Sequence, residues 1–430
     1  MTGQSILSRR IKEIRHQRGL SQAQLARPEL SDSYISLIES GSRVPTPDVL
    51  ALLAAKLGCS VSFLVHGVTE EESNSLETRL RSAREALESG GRHDARKMYA
   101  DLLSDPLVPR MPGSLEKIEY GLALATEACG DLDEAIDILV RLRDREAESL
   151  TDELRIASAL ALSRCYRDRG ETEAAIAVAE QELARMLEDG WTDHLIELGS
   201  TLLSSYYVRG DLLRAQQFAS ELLAAAESLG TPRAIVAANW NAANLAEISG
   251  RGEEALSLME RAWAARSEYE DVRNRARLRV AYAQLRLSVR PQDAAECREH
   301  LLQAERELRE TSASSLDLAD CLRYLALAEV ELGHAEEAVR YGLAAIEANG
   351  DTSTELRAEL QVLLGQAYLM LDRKDDASAA VQAAMEVLVN EPQTKSTAET
   401  WFKAAAVLQG MGDHEGSKLA YQRAMECSGV

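Results

Sequence analysis

Two asparagines, Asn241 and Asn244, stand three residues apart in the string NWNAAN, on one face of any helix that contains them. Each side-chain amide offers both a donor and an acceptor, the pair of groups that an extended peptide backbone needs. Arginines such as Arg164 and Arg167 can grip a terminal carboxylate through two parallel hydrogen bonds. These residues bind; they do not catalyse. The seven His are scattered, and the chain holds no HExxH and no glycine-rich nucleotide cradle. Cys297 and His300 share a helix face but lack further nearby ligands, so no metal site is expected. No Ser, His and Asp arrangement stands out. The expectation is a protein without catalytic residues and without a cofactor.

The elements that carry such groups follow from composition. The chain has 430 residues, of which 46% are hydrophobic and only 4% aromatic. That balance disfavours a β-sandwich and suits a helical protein of roughly three globular units. Six scattered Cys with no Cys-x-x-Cys fit a reducing compartment. The charged N-terminus is not a signal peptide, and no apolar run is long enough to span a membrane, so a cytoplasmic protein is expected. Charge is uneven. Residues 1–67 hold eight basic and five acidic side chains, or +3, within a total of −22, which leaves −25 for the rest. Only the small basic head suits contact with a polyanion.

A repeat organises the remainder. A turn residue followed five positions later by a small one recurs as Gly90…Ala95, Gly130…Ala135, Gly170…Ala175, Gly210…Ala215, Gly250…Ala255, Arg290…Ala295, Gly333…Ala338, Asp372…Ala377 and Gly412…Ser417. The intervals are 40 residues except for one of 43 and one of 39. Glycine relieves the left-handed conformation that follows a helix C-terminus, and the small residue lets two helices approach. Eight positions before the turn stand Leu122, Leu162, Leu202, Ala242, Tyr282, Leu325, Leu364 and Ala404, nearly all apolar; the next positions are nearly all small. These units resemble tetratricopeptide repeats over residues 76–430, though the usual repeat is about 34 residues. Pro106, Pro109 and Pro112 are expected to force a non-helical connection, and Pro232 and Pro392 to fall between units.

The head reads as five short helices. Ile6, Ile11, Ile14 and Leu20 are expected on one side of the first, Ser21 caps the second, and Ile35 and Ile38 face inward from the third. Leu20-Ser21-Gln22, Leu25-Ala26, Ile35-Ser36, Ile38-Glu39 and Gly41 carry a resemblance to the Cro/repressor-like helix-turn-helix family. The turn Arg27–Ser31 departs from that pattern, being a residue short and containing Pro28. The resemblance implies that Gln22 touches backbone phosphate, that Asp32, Ser33, Tyr34, Ser36 and Leu37 face the major groove, and that Arg43 holds phosphate. Asp32 either accepts from cytosine or caps its helix. Arg15 and Glu39 match a buried ion pair of the family. The base-facing set has no Arg, Asn or Gln, so DNA shape is expected to share in specificity.

The expected architecture is all-α: a helix-turn-helix domain at 1–67, a polar linker at 68–75, and about nine tetratricopeptide-type hairpins at 76–430. The layout is similar to the cytoplasmic peptide-pheromone receptors of Gram-positive bacteria. It implies a homodimer that binds operator DNA under control of a short imported peptide. Groove-facing positions of the repeat family, three, six and ten residues before each turn, give Arg164, Arg167, Tyr207, Trp240, Asn244, Glu247, Gln284, Arg323 and Gln366, and Asn241 joins Asn244. In outer repeats the same positions include Leu124, Leu327, Leu369 and Ala406, so polarity concentrates in the middle. The same layout suits control by a partner protein or a small metabolite, and a scaffold whose head no longer reads DNA is the reading from another class.

Overall fold

The computed structural model describes residues 3–145, 150–266, 272–310, 315–350 and 353–428; among them there are helices and turns but no strand. The chain forms two compact units, Met1–Cys165 and Tyr166–Val430.

The first unit opens with α1 (Gly3–Gln17), α2 (Gln22–Ala26), α3 (Asp32–Glu39), α4 (Pro47–Leu57) and α5 (Val61–His66). Their shared core includes Ile11, Leu25, Ile35, Ile38, Leu53, Leu57 and Leu64, all fully buried. Ile6 is exposed and the neighbouring Leu7 is buried instead, because Leu7 lies one helical turn from Ile11 and so shares its face. The polar stretch expected as a linker is largely helical. Thr69 and Glu72 form a reciprocal capping box that starts α6 (Glu70–Glu88), so local capping outweighs polar composition. Then come α7 (Arg92–Leu103), a proline-rich connection with one 3₁₀ turn at Val108–Arg110, α8 (Ser114–Ala128), α9 (Leu132–Arg143) and α10 (Asp152–Asp168).

The unit boundary falls within α10. The second unit continues with α11 (Thr172–Met186), α12 (Asp193–Arg209), α13 (Leu212–Leu229), α14 (Pro232–Ile248), α15 (Gly252–Ala265) and α16 (Val272–Val289). It ends with α17 (Ala294–Glu310), α18 (Ser315–Glu331), α19 (Ala335–Asn349), α20 (Thr354–Met370), α21 (Lys374–Leu388), α22 (Lys395–Met411) and α23 (His414–Ser428). From α6 onward the described helices include eight packed pairs, α6 with α7 and α8 with α9 in the first unit, and α12 with α13 through α22 with α23 in the second. Pro232 is the first residue of α14, a position where its missing N–H costs nothing.

Eight of the nine regularly spaced turns are built alike. Gly90, Gly130, Gly170, Gly210, Gly250, Gly333, Asp372 and Gly412 all have positive φ. In each turn the next N–H returns to the carbonyl four residues before the turn residue, as in Asp211 N to Tyr206 O at 3.0 Å and Asp413 N to Leu408 O at 3.0 Å. This is the six-to-one bond that closes a helix C-terminus on a left-handed residue. Arg290 is the exception, with φ of −134° and a 3₁₀ turn at Pro291–Asp293. The extra turn shifts the register, so Ala294 is buried and the expected Ala295 is exposed. Elsewhere the small residue lies where the spacing puts it: Ala95, Ala135, Ala175, Ala215, Ala255 and Ala377 are all fully buried.

Candidate nucleic-acid interface and ligand cavity

In the head, two short helices are fixed by their caps. Ser21 Oγ accepts from Gln24 N at 3.1 Å while the Gln24 side chain accepts from Ser21 N at 2.8 Å. Ser31, not Asp32, caps α3: its Oγ accepts from Tyr34 N at 3.2 Å. Asp32 is instead the first residue of α3, exposed and suited to the positive end of the helix dipole. The helix buries Ile35 and Ile38 and leaves Asp32, Ser33, Ser36 and Leu37 outward, with Tyr34 half-buried. Arg43 is exposed, and its guanidinium lies 5.2 Å from the centre of the Tyr34 ring.

Behind that face sits the expected ion pair. Arg15 Nε and Nη2 donate to Glu39 at 2.6 and 2.9 Å, and both side chains are almost wholly buried. Gln22 Nε2 also donates to Glu39, at 2.8 Å, so the amide expected on phosphate is engaged within the protein. Burial alone would raise the Glu39 carboxyl, but the hydrogen bonds from Arg15 and Gln22 outweigh it and hold the group below the ordinary glutamate range. One buried carboxylate thus ties α1, α2 and α3 together.

Several basic residues of the head serve its own backbone. Lys56 Nζ donates to the carbonyls of Leu25, Ala26 and Arg27 at 3.2, 3.2 and 2.8 Å, closing the C-terminus of α2. Arg10 donates to Leu64 O at 2.7 Å and Arg18 to Gly58 O at 3.1 Å. Sequence reading missed these roles, since each partner lies 29 or more residues away and leaves no local pattern.

In the second unit, helices of four successive pairs line a half-open cavity of about 370 Å³. Tyr207 on α12, Trp240, Asn244 and Glu247 on α14, and Gln284 on α16 line it, five of the expected groove residues. The wall also holds Ile248, Arg277, Val280, Ala281, Leu308, Asp317 and Asp320. Arg277 and Asp320 each stand thirteen residues before their turn, one helical step beyond the positions counted from sequence; extending that face would have found them. Burial raises the Tyr207 hydroxyl above its ordinary range, against hydrogen bonds with Asn244 and Ser204 and the charge of Arg167.

The other expected groove residues do not line the cavity. Arg167 donates to Ser204 Oγ at 2.9 Å and pairs with Asp168. Asn241 Nδ2 donates to Ala237 O of its own helix at 3.0 Å. Arg323 binds Glu359 at 2.7 Å and Asp320 at 3.0 Å, and stacks on Tyr324. Gln366 is exposed on α20. Arg164, in the first unit, makes a two-pronged pair with Glu127 at 2.5 Å.

Cys297 is fully buried, with its thiol pushed up to about 11 by burial. His300 packs edge-on against Trp263 and Tyr282 at 5.3 and 5.4 Å. Among the described residues no group of three or more His, Cys, Asp or Glu is placed to hold a metal ion. No described helix is long and apolar enough to cross a membrane.

Comparison with known proteins agrees with this geometry. Residues 11–64 match the helix-turn-helix family model. No curated protein matches the chain. Among solved structures, a Rap protein complexed with competence and sporulation factor is similar at 13% identity and TM-score 0.54, over 83% of this chain and 98% of that one. The apo form of the quorum sensor NprR from B. thuringiensis is similar at 14% identity and TM-score 0.52, over 83% and 99%. Aspartyl phosphate phosphatase F from Bacillus subtilis follows at 11% identity and TM-score 0.50, over 83% and 95%. Residues 11–64 are therefore a helix-turn-helix domain of the Cro/repressor type, joined to tetratricopeptide-like repeats whose fold is that of Rap proteins and the quorum sensor NprR.

Proposed function

We propose that this protein is a transcriptional regulator that binds operator DNA as a homodimer in the cytoplasm, and that a short peptide in the cavity of the second unit controls that binding. The carrying observation is the outward face of α3. Ser33, Ser36 and Leu37 stand exposed on a helix whose inward face is fully buried. Such a face suits the major groove, with Arg43 on phosphate. Ser33 and Ser36 can serve either base, and Leu37, 44% exposed, suits a thymine methyl. Gln22 Nε2 is engaged by Glu39 at 2.8 Å, which weakens its claim to a phosphate.

Peptide control rests on the cavity and on its amides. Asn244 and Gln284 offer donors and acceptors to a backbone, in a wall that also holds Tyr207 and Trp240. Control requires that the ligand bind one arrangement of the two heads better than the other; tight but indifferent binding changes nothing. The cavity volume also favours a second reading, a compact metabolite, since about 370 Å³ lies at the low end of the ~300–1,000 Å³ usual for small-molecule sites.

The test is DNA affinity measured with and without cell-derived peptide fractions, in wild type and Asn244→Ala. A response confined to wild type supports the proposal. An equal response in both proteins would move the pocket elsewhere, and no response to any fraction would point to a partner protein. Equal affinity for random and selected DNA at physiological salt would remove the regulator reading in favour of a scaffold.

A further inference from the structure

Basic residues of the head are held in two different ways. Arg10 and Arg18 donate to carbonyls, Arg15 to a carboxylate, and Lys56 to both. Arg43 instead meets a ring, with its guanidinium 5.2 Å from the centre of Tyr34. A carboxylate partner would neutralise Arg43 and occupy its donors in pairs, whereas a ring face attracts the charge and leaves the N–H groups for another acceptor. Both members of the contact are fixed. Beyond α3 the chain turns back at Gly41, whose φ is 76°, and Ser42 N and Arg43 N both donate to Leu37 O, at 2.9 and 3.2 Å. Ser40 Oγ donates to the same carbonyl at 3.0 Å and lies 2.9 Å from Ser42 Oγ. Tyr34 packs partly against the core of the head, and Ser31 caps its backbone N–H.

Tyr34 stands three residues before Leu37, so it borders the outward face of α3. On the reading that this face enters the major groove, we infer that Tyr34 is a positioning residue for a phosphate contact and not a reader of bases. Its ring, backed by the core, holds Arg43 with its charge uncompensated beside the DNA backbone. An arginine on a loop loses rotamer freedom when it binds, and a platform that orders it in the free protein lowers that cost. The contact adds affinity without base preference, because a phosphate carries no sequence information. Base discrimination is left to Ser33, Ser36 and Leu37.

The test uses the full-length protein and a duplex that the wild type selects from a random-sequence library, together with single-base-pair variants of that duplex. Affinity is measured at low and at physiological salt for wild type, Tyr34→Phe, Tyr34→Leu, Arg43→Ala and Tyr34→Leu/Arg43→Ala. Tyr34→Phe keeps the ring and should bind within about twofold of the wild type. Tyr34→Leu keeps apolar volume for the core and should weaken binding by about threefold per head, on every duplex alike, the loss expected for a cation–ring contact near the surface. Its salt slope should flatten in the same sense as that of Arg43→Ala. In the Arg43→Ala background the Tyr34→Leu loss should vanish, since the ring then has nothing to hold. Tyr34→Met takes the place of Tyr34→Leu if amide exchange shows that Leu loosens α3.

A Tyr34→Leu loss that persists undiminished in the Arg43→Ala background would overturn the inference, as would wild-type affinity in Tyr34→Leu. A loss confined to one base pair would make Tyr34 a reader and overturn it too. A loss in Tyr34→Phe as large as in Tyr34→Leu would assign the effect to the hydroxyl and not to the ring. These outcomes leave the regulator reading standing. A wild type that selects no duplex over random DNA would remove that reading, and the inference with it.

Discussion

The head and the middle repeats build their sites in opposite ways. In the head, the outward residues from Asp32 to Leu37 share one eight-residue helix, and one buried carboxylate, Glu39, joins that helix to two others. In the second unit the cavity draws on α12, α14, α16, α17 and α18, and its residues run from Tyr207 to Asp320. A compact site gains orientation from few contacts and is correspondingly fragile. A distributed site gains it from repetition, since each helix pair packs mainly against its neighbours. One substitution should therefore disturb the whole head, yet only one wall of the cavity.

The largest expected effect tests that fragility. Glu39→Ala strands the buried Arg15 guanidinium and should destabilise the head by ~3–5 kcal/mol. Amide exchange in the full chain is the check: protection should fall throughout α1–α3 and stay unchanged in the second unit. Acid should mimic the substitution. Because the folded Glu39 carboxyl titrates below its unfolded value, its contribution is complete above the ordinary glutamate range and is lost as pH falls through the folded value. A head that keeps its protection with Ala at 39 would remove the pair from this account.

Next in size is the response at the cavity. A ligand at a hundredfold excess over its Kd should stabilise the wild type by ~2.7 kcal/mol, seen as a raised melting temperature. Asn244→Ala removes an amide from the cavity wall, and should abolish the shift while leaving DNA binding of the free protein intact. A global loss of helix on this substitution would contradict the local character claimed for the repeats.

Smaller still are the separate contributions to DNA binding. Arg10, Arg18 and Lys56 are engaged with backbone carbonyls, so the +3 head offers fewer phosphate contacts than its charge suggests. Each phosphate neutralised contributes roughly −0.9 to the log–log salt slope. Arg43→Ala should weaken all sequences alike and flatten the slope by about that amount. Ser33→Ala should change preference at one base pair by about 1 kcal/mol and leave the slope alone. Competition binding at two salt concentrations separates the two outcomes.

The period of the repeats was legible because it is written in backbone conformation. A left-handed residue closes eight of the nine turns, and only a few residue types accept that conformation at low cost. The register slip at Ala294 was not legible, since nothing in the Arg290 turn announces a 3₁₀ turn of three residues. In the head, Ser21, Ile35, Ile38 and the Arg15–Glu39 pair stood out through local spacing and family resemblance. The Lys56 cap on α2 did not, because it joins elements far apart in the chain. Half of the expected groove residues reach the cavity. Counting from the turn selects a helix face but cannot tell which arginines a neighbouring carboxylate has already taken.

The smallest effect tests the independence of the repeats at two unusual turns. Asp372 is the one described non-glycine residue with positive φ, at 55°. Glycine there would relieve a left-handed strain of ~1–2 kcal/mol for an ordinary L residue, less for Asp, whose short polar side chain tolerates the region. It would also lose chain stiffness worth roughly 0.5–1 kcal/mol and a favourable acidic charge before α21. The net gain for Asp372→Gly should be about 0.5 kcal/mol or less. Arg290 has φ of −134° and is paired with Glu253 at 2.7 Å, so glycine offers it no relief. Arg290→Gly should cost ~1 kcal/mol through lost pairing and added chain entropy. Denaturant titration of both variants checks the contrast, and the two changes should add, because the turns lie in different pairs with no shared partner. A stabilising Arg290→Gly, or strong non-additivity, would show that the pairs do not respond as local units.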